Sequence, residues 1–104
     1  MTETELQAEI LKYLKLRGIF CWRNQAGLLI KGRVIHMSPA GSPDIIGVMP
    51  DGRFIGVEVK LPRKDLSDKQ AEFMAKLKDN KAFVFVAHSI SEVEWHLQHY
   101  KSKN

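Results

Sequence analysis

A chain of 104 residues, 44% hydrophobic and 27% charged, has room for one core, so it is read as a single domain over residues 1–104. Sixteen Lys and Arg against twelve Asp and Glu leave a formal charge of +4, a mild bias toward an acidic partner such as nucleic acid. A single cysteine argues against a disulfide framework and a Cys-built zinc site, no G-x-x-x-x-G-K-[ST] loop offers nucleotide hydrolysis, and no apolar run nears the ~20 residues of a membrane span. A soluble, intracellular protein is expected.

Thr2-x-x-Glu5 reads as a capping box, after which Leu6, Ile10, Tyr13 and Leu14 recur at helical spacing until Gly18. Glu9 falls on the flank of that stripe, where it either pairs with Lys12 at i+3 or reaches a neighbouring site. Ile19 to Arg23 predicts a strand that holds Cys21 as a buried free thiol. Asn24 to Gly27 breaks that strand before two apolar runs, Leu28–Ile30 and Arg33–Ile35, turned at Lys31-Gly32. Arg23, Lys31 and Arg33 are candidates for phosphate contacts, and His36 is read as structural.

The stretch from Gly41 to Lys60 predicts a hairpin, with apolar runs Ile45–Met49 and Phe54–Val59 flanking Pro50-Asp51-Gly52-Arg53. A two-residue Asp51-Gly52 turn would pair Asp44 with Val59 and set Asp44 on the face opposite Glu58. Asp44 is expected beside Glu58 and Lys60, so an odd loop, a bulge at Gly47 or Gly56, or a bend at Asp44 must intervene. Leu61 to Asp65 is then a polar loop, Ser67 caps a second helix with Gln70 completing the box, and Phe73, Met74 and Leu77 continue its stripe. Phe83 to Ala87 predicts a buried strand beside the hairpin, parallel to the Glu58 strand and not an edge, before a last helix capped at Ser91.

Two carboxylates and an ammonium at the end of an apolar hairpin are costly unless a cation joins them. Hard cations take carboxylate, carbonyl and water oxygens, which makes Asp44, Glu58 and the Val59 carbonyl candidate ligands. Period-two alternation points Lys60 where Glu58 points, so its charge can offset charge building on a phosphate. Gln70 has a cap role already satisfied and a second reading beside the same site.

Gly41-x-Pro43-Asp44, Val57-Glu58-Val59-Lys60 and Leu66-Ser67-x-Lys69-Gln70, in that order and followed by an amphipathic helix and a buried strand, resemble the virus-type replication-repair nuclease (VRR-NUC) domain of the PD-(D/E)xK superfamily. The resemblance implies an α/β restriction-endonuclease-like fold, a central mixed sheet flanked by helices in the order α-β-β-β-α-β-α. It implies catalytic Asp44, Glu58, Lys60 and Gln70, with Glu9 in the first-helix acid position as a further metal ligand beside Asp44, Glu58 and Val59. Mg²⁺, with Mn²⁺ as substitute, is the implied cofactor. Stand-alone phage and bacterial members of that family resemble Holliday-junction resolvases and act as homodimers, whereas the eukaryotic relative is a structure-selective repair nuclease with an added domain. The expected partner is thus branched DNA, gripped through Arg23, Lys31, Arg33, Ser42, Arg63, Lys64 and Lys69, in the cytoplasm of a bacterial or phage-infected cell. The competing reading is a catalytically silent DNA-binding or assembly module on the same fold.

Overall fold

The computed structural model describes residues 1–25 and 27–102. Ala26, Lys103 and Asn104 lie outside that description, as do the side chains of Leu28, Leu29 and His36, so the structural role expected of His36 falls outside it too. The elements are α1 (Glu3–Leu16), β1 (Phe20–Arg23), β2 (Gly27–Ile30), β3 (Arg33–His36), β4 (Ile45–Val48), β5 (Phe54–Val59), α2 (Asp68–Asp79), β6 (Phe83–Ala87) and α3 (Ile90–Gln98). Strands β1-β4-β5-β6 form the central sheet in that order, and β2 and β3 pair as a separate ribbon. With the ribbon set aside, the elements run α-β-β-β-α-β-α, and the sheet is mixed because only β5 and β6 are parallel.

Local chemistry sets the helix ends. Thr2 Oγ1 accepts the Glu5 N–H while the Glu5 carboxylate accepts the Thr2 N–H, and Ser67 and Gln70 repeat the exchange at α2. The last helix starts earlier than Ser91: Ser89 is its cap and accepts the Glu92 N–H at 3.2 Å. Glu92 reaches back to the His88 N–H at 2.6 Å, which makes Ser89 the better-served start.

Alternation along β5 builds the two faces of the sheet. Ile55, Val57 and Val59 are buried in one cluster with Leu6, Ile10 and Leu14 of α1 and Val93 of α3. Gly56, Glu58 and Lys60 therefore turn to the other face, where α2 lies and Gln70 meets Glu58. β6 is the terminal strand of the sheet, which corrects the expectation of a strand inside it. Its Val84, Phe85 and Ala87 are buried because helices cover both faces, so an apolar run reports covered faces and not a central position.

The β4–β5 turn resolves the register. Met49 and Arg53 close the hairpin, the Met49 N–H donating to the Arg53 carbonyl at 2.8 Å, and the loop between them is the three residues Pro50 to Gly52. Gly52 at φ +90° supplies the left-handed step that a three-residue loop needs. The pairs are Val48 with Phe54 and Ile45 with Val57, so one step further Asp44 stands across from Glu58 on the same face. The odd loop is thus the device, among the three expected, that brings Asp44 beside Glu58, and the two-residue turn is not formed. Gly47 and Gly56 sit in regular pairs and not in bulges. A Cβ on Gly56 would lie 2.9 Å from Pro43 and 3.1 Å from Val84, so its role is close packing under the approach to Asp44.

Candidate active site

Glu58 is the buried charged residue of the core, 2% exposed, at the end of β5. Burial pushes its carboxyl up to about 9, and the hydrogen bond and negative charge of Asp44 push the same way, with Lys60 opposing and Glu3 adding. At neutral pH the Glu58 carboxyl is therefore held toward its protonated form. Asp44 Oδ2 also accepts the Val59 N–H at 2.8 Å. In extended backbone the carbonyl leaves on the same edge as its own N–H, so the Val59 carbonyl faces the side where Asp44 lies.

Gln70 links this pair to α2 by using both ends of its amide. Its Oε1 accepts the Ser67 N–H at 2.9 Å, and its Nε2 donates to Glu58 Oε1 at 3.1 Å. The helix cap thereby fixes the rotamer that delivers the N–H. Between α2 and β4, Gly41 at φ +86° passes so close to the first turn of α2 that a Cβ would lie 2.5 Å from the Lys69 carbonyl oxygen. The loop carrying Asp44 and the helix carrying Gln70 are thus in backbone contact.

The structure brings Asp44, Glu58, Val59, Lys60 and Gln70 together, and it does not bring Glu9 to them. Glu9 is exposed and lines a groove with Met1, Leu61, Pro62 and His88. At 3.6 residues per turn Glu9 stands about 120° around α1 from Glu3, whereas Gln7 stands about 40° from it. Glu3 and Gln7 are accordingly the α1 residues on the site side: Glu3 acts on Glu58 by its charge, and Gln7 lines a cleft of about 440 Å³ with Arg23, Asn24, Gln25 and Asp44. Both were missed in the sequence reading, although their i, i+4 spacing marks one polar face. Among the described residues no three His, Cys, Asp or Glu side chains converge as a metal group. The donor set of two facing carboxylates and a carbonyl edge nevertheless suits a hard cation that takes its other oxygens from water and phosphate, because two carboxylates facing each other create a demand for positive charge.

Of the expected DNA contacts, Arg23 borders the Asp44 cleft, Lys31 lies in the ribbon turn and Arg33 opens the strand after it. Arg63 and Lys64 are exposed on the loop after β5, and Lys69 is exposed on the first turn of α2. Ser42 is occupied differently, its Oγ accepting from Asn24 Nδ2 at 2.9 Å. No helix of the described residues is long and apolar enough to cross a membrane.

One solved structure, described as a VRR_NUC domain, is 24% identical; the match covers 95% of this chain and 97% of that one with a TM-score of 0.71. A second, described as a VRR_NUC domain protein, is also 24% identical, with 96% and 88% covered and a TM-score of 0.61. These likenesses carry the fold, which is nuclease-like. Comparison with curated proteins gives no match. The family model described as VRR-NUC domain matches residues 1–91, from the start of the chain into α3, and the chain therefore belongs to the VRR-NUC domain family.

Proposed function

We propose that this domain is a metal-dependent DNA endonuclease that hydrolyses phosphodiester bonds in branched DNA, as a homodimer of the Holliday-junction resolvase kind. The observation that carries the reading is the buried Glu58 facing Asp44 at the end of β5, with Lys60 on the same face and Gln70 bound to Glu58. Mg²⁺, for which Mn²⁺ substitutes, would be held by Asp44, Glu58 and the Val59 carbonyl, and supplies Lewis-acid charge for activating water and stabilising a phosphorane-like transition state.

The chain's own residues do the rest. Gln70 holds the Glu58 carboxylate in one orientation through the 3.1 Å bond, and the Val59 N–H does the same for Asp44 at 2.8 Å. The Lys60 ammonium offsets the negative charge that grows on the phosphate as water attacks phosphorus and the bond to the leaving oxygen breaks. Arg23, Lys31, Arg33, Arg63, Lys64 and Lys69 supply phosphate contacts around the site. Exposed Phe20 and Trp22, 73% and 44% accessible, give the first strand an apolar surface suited to a second copy.

A synthetic four-way junction, a flap and a plain duplex, each incubated with and without Mg²⁺, test the reading. Metal-dependent cutting with the junction preferred supports it. Binding without cutting in the presence of Mg²⁺ would replace it by the silent module.

A further inference from the structure

Asn24 is the first residue beyond β1, and all of its hydrogen-bonding groups that point toward the loop of residues 38–44 are used on it. Its backbone N–H donates to the Asp44 carbonyl at 2.8 Å, extending the β1–β4 ladder by one pair. Its Nδ2 donates to Ser42 Oγ at 2.9 Å and to the Pro43 carbonyl at 2.8 Å, and its Oδ1 accepts from Ser38 Oγ at 2.7 Å. A side-chain amide has two N–H donors, so both are engaged and the oxygen as well.

These four contacts grip the loop at positions 38, 42, 43 and 44, immediately before the strand that turns Asp44 toward Glu58. On the other side of the loop Gly41 passes so close to the Lys69 carbonyl and the Gln70 nitrogen of α2 that no Cβ fits between them. The carboxylate of Asp44 leaves this clasped loop to meet the Val59 N–H. We propose that Asn24 is a positioning residue for the candidate active site, setting the Asp44 carboxylate across from Glu58 through its clasp on the 38–44 loop. Its role in cleavage rests on the nuclease reading above; its role in placing Asp44 does not.

Shape alone does not satisfy the clasp. Aspartate at 24 would still accept from Ser38 but would set an oxygen against the Pro43 carbonyl oxygen, and alanine would release the loop at three positions. Val59 and Lys60 give a local readout of where Asp44 sits. The Val59 amide is protected by Asp44 Oδ2, whereas the neighbouring Lys60 amide donates to the Ala87 carbonyl of β6 at 3.1 Å.

Amide hydrogen exchange of the full, metal-free chain tests the placement. In Asn24→Ala the Val59 amide should exchange about tenfold faster while Lys60 changes little, the expected consequence of losing one local hydrogen bond without global opening. Asp44→Ala should reproduce that pattern, and Asn24→Asp should show it in part. Should Asn24→Ala fail to fold, Ser38→Ala removes one contact of the clasp and should give the same pattern to a smaller degree. Unchanged Val59 exchange, or equal acceleration at Val59 and Lys60, overturns the assignment. In junction cleavage with Mg²⁺, Asn24→Ala should lower kcat by about tenfold or more while KM stays nearly constant, as for loss of groups that align reacting partners. Normal kcat despite a released Val59 amide refutes the catalytic consequence. A wild-type chain that cuts nothing refutes the nuclease reading, while Val59 exchange still decides whether Asn24 places Asp44.

Discussion

Replacing Glu58 by Gln should stabilise the metal-free protein at neutral and alkaline pH, the reverse of what removing a buried salt-bridge partner does. The folded carboxyl is pushed up to about 9, chiefly by burial and then by Asp44, whereas an unfolded Glu titrates near 4.5. Below about pH 4.5 both states carry the proton and the group contributes no pH dependence. As pH rises from there toward 9 the unfolded chain releases its proton and the folded chain keeps it, so wild-type stability falls across that window and levels off above it. At about 1.36 kcal/mol per pH unit, the loss between pH 4.5 and pH 7 comes to about 3 kcal/mol, a large part of the roughly 5–15 kcal/mol of a whole domain. Gln at this position carries no such proton: its carbonyl can accept from Gln70 Nε2 as Glu58 does now, and its amide can donate to Asp44. Thermal unfolding in EDTA from pH 5 to pH 8.5 reads the difference. The curves should converge near pH 5 and separate as pH rises, the variant melting about ten degrees or more above wild type at pH 7. A pH-independent difference, or a variant less stable than wild type at pH 8, would refute the raised Glu58 carboxyl.

The remaining predictions concern cleavage, binding and assembly. Asp44→Asn should abolish cleavage while leaving junction binding in EDTA intact or tighter, and Lys60→Ala should abolish it with binding unchanged or weaker; near-normal cleavage by Asp44→Asn removes the assignment. Changing Arg63 and Lys64 together to Ala should reduce the slope of log affinity against log salt by about 2, and an unchanged slope moves the DNA surface elsewhere. Light scattering at tens of micromolar, an order-of-magnitude choice suited to weak association, should find a dimer; a monomer there argues for single-strand nicking. Gln70→Glu keeps an oxygen for the Ser67 N–H but sets a carboxylate against Glu58, so α2 should stay folded by circular dichroism while cleavage falls, and full activity would confine Gln70 to its cap.

Features written in residues three or four apart were legible in the sequence. The boxes at Thr2–Glu5 and Ser67–Gln70 and the stripe Leu6, Ile10, Leu14 are local patterns, and the structure contains them. Features that depend on how elements meet were not. Hairpin register hung on whether Gly52 closes a two- or a three-residue loop, a choice that moves Asp44 from one face to the other. A helical wheel locates the apolar stripe of α1 but does not say which flank meets the end of β5; it left Glu9 open, the resemblance gave Glu9 the acid position, and the packing sets Glu3 where its charge acts on Glu58. Asn24 looked like a strand breaker because its partners Ser38, Ser42 and Pro43 lie 14 to 19 residues away, beyond any periodicity. Gln70 was posed as a cap or a site residue, and the structure joins the two because the oxygen and nitrogen of one amide face different neighbours.

The position of the acids at a strand end follows from this division of labour. An acid deep in the sheet would be unable to exchange its proton for an incoming cation, and one on an open loop would not be held in place. At the end of β5, Glu58 has its stem in the core and its carboxyl against Asp44, Gln70 and the charge of Lys60. Three separate connections aim the group: the cap of α2 through Gln70, the 38–44 loop through Asp44, and the Val59 N–H through Asp44 Oδ2. Each is made within the fold, so the geometry exists before any ligand arrives, which is the condition for electrostatic preorganisation. The energetic consequence is a metal-free domain weakened by Glu58 as pH rises, and under the proposed nuclease reading Glu58→Gln should trade activity for stability, so one substitution tests both.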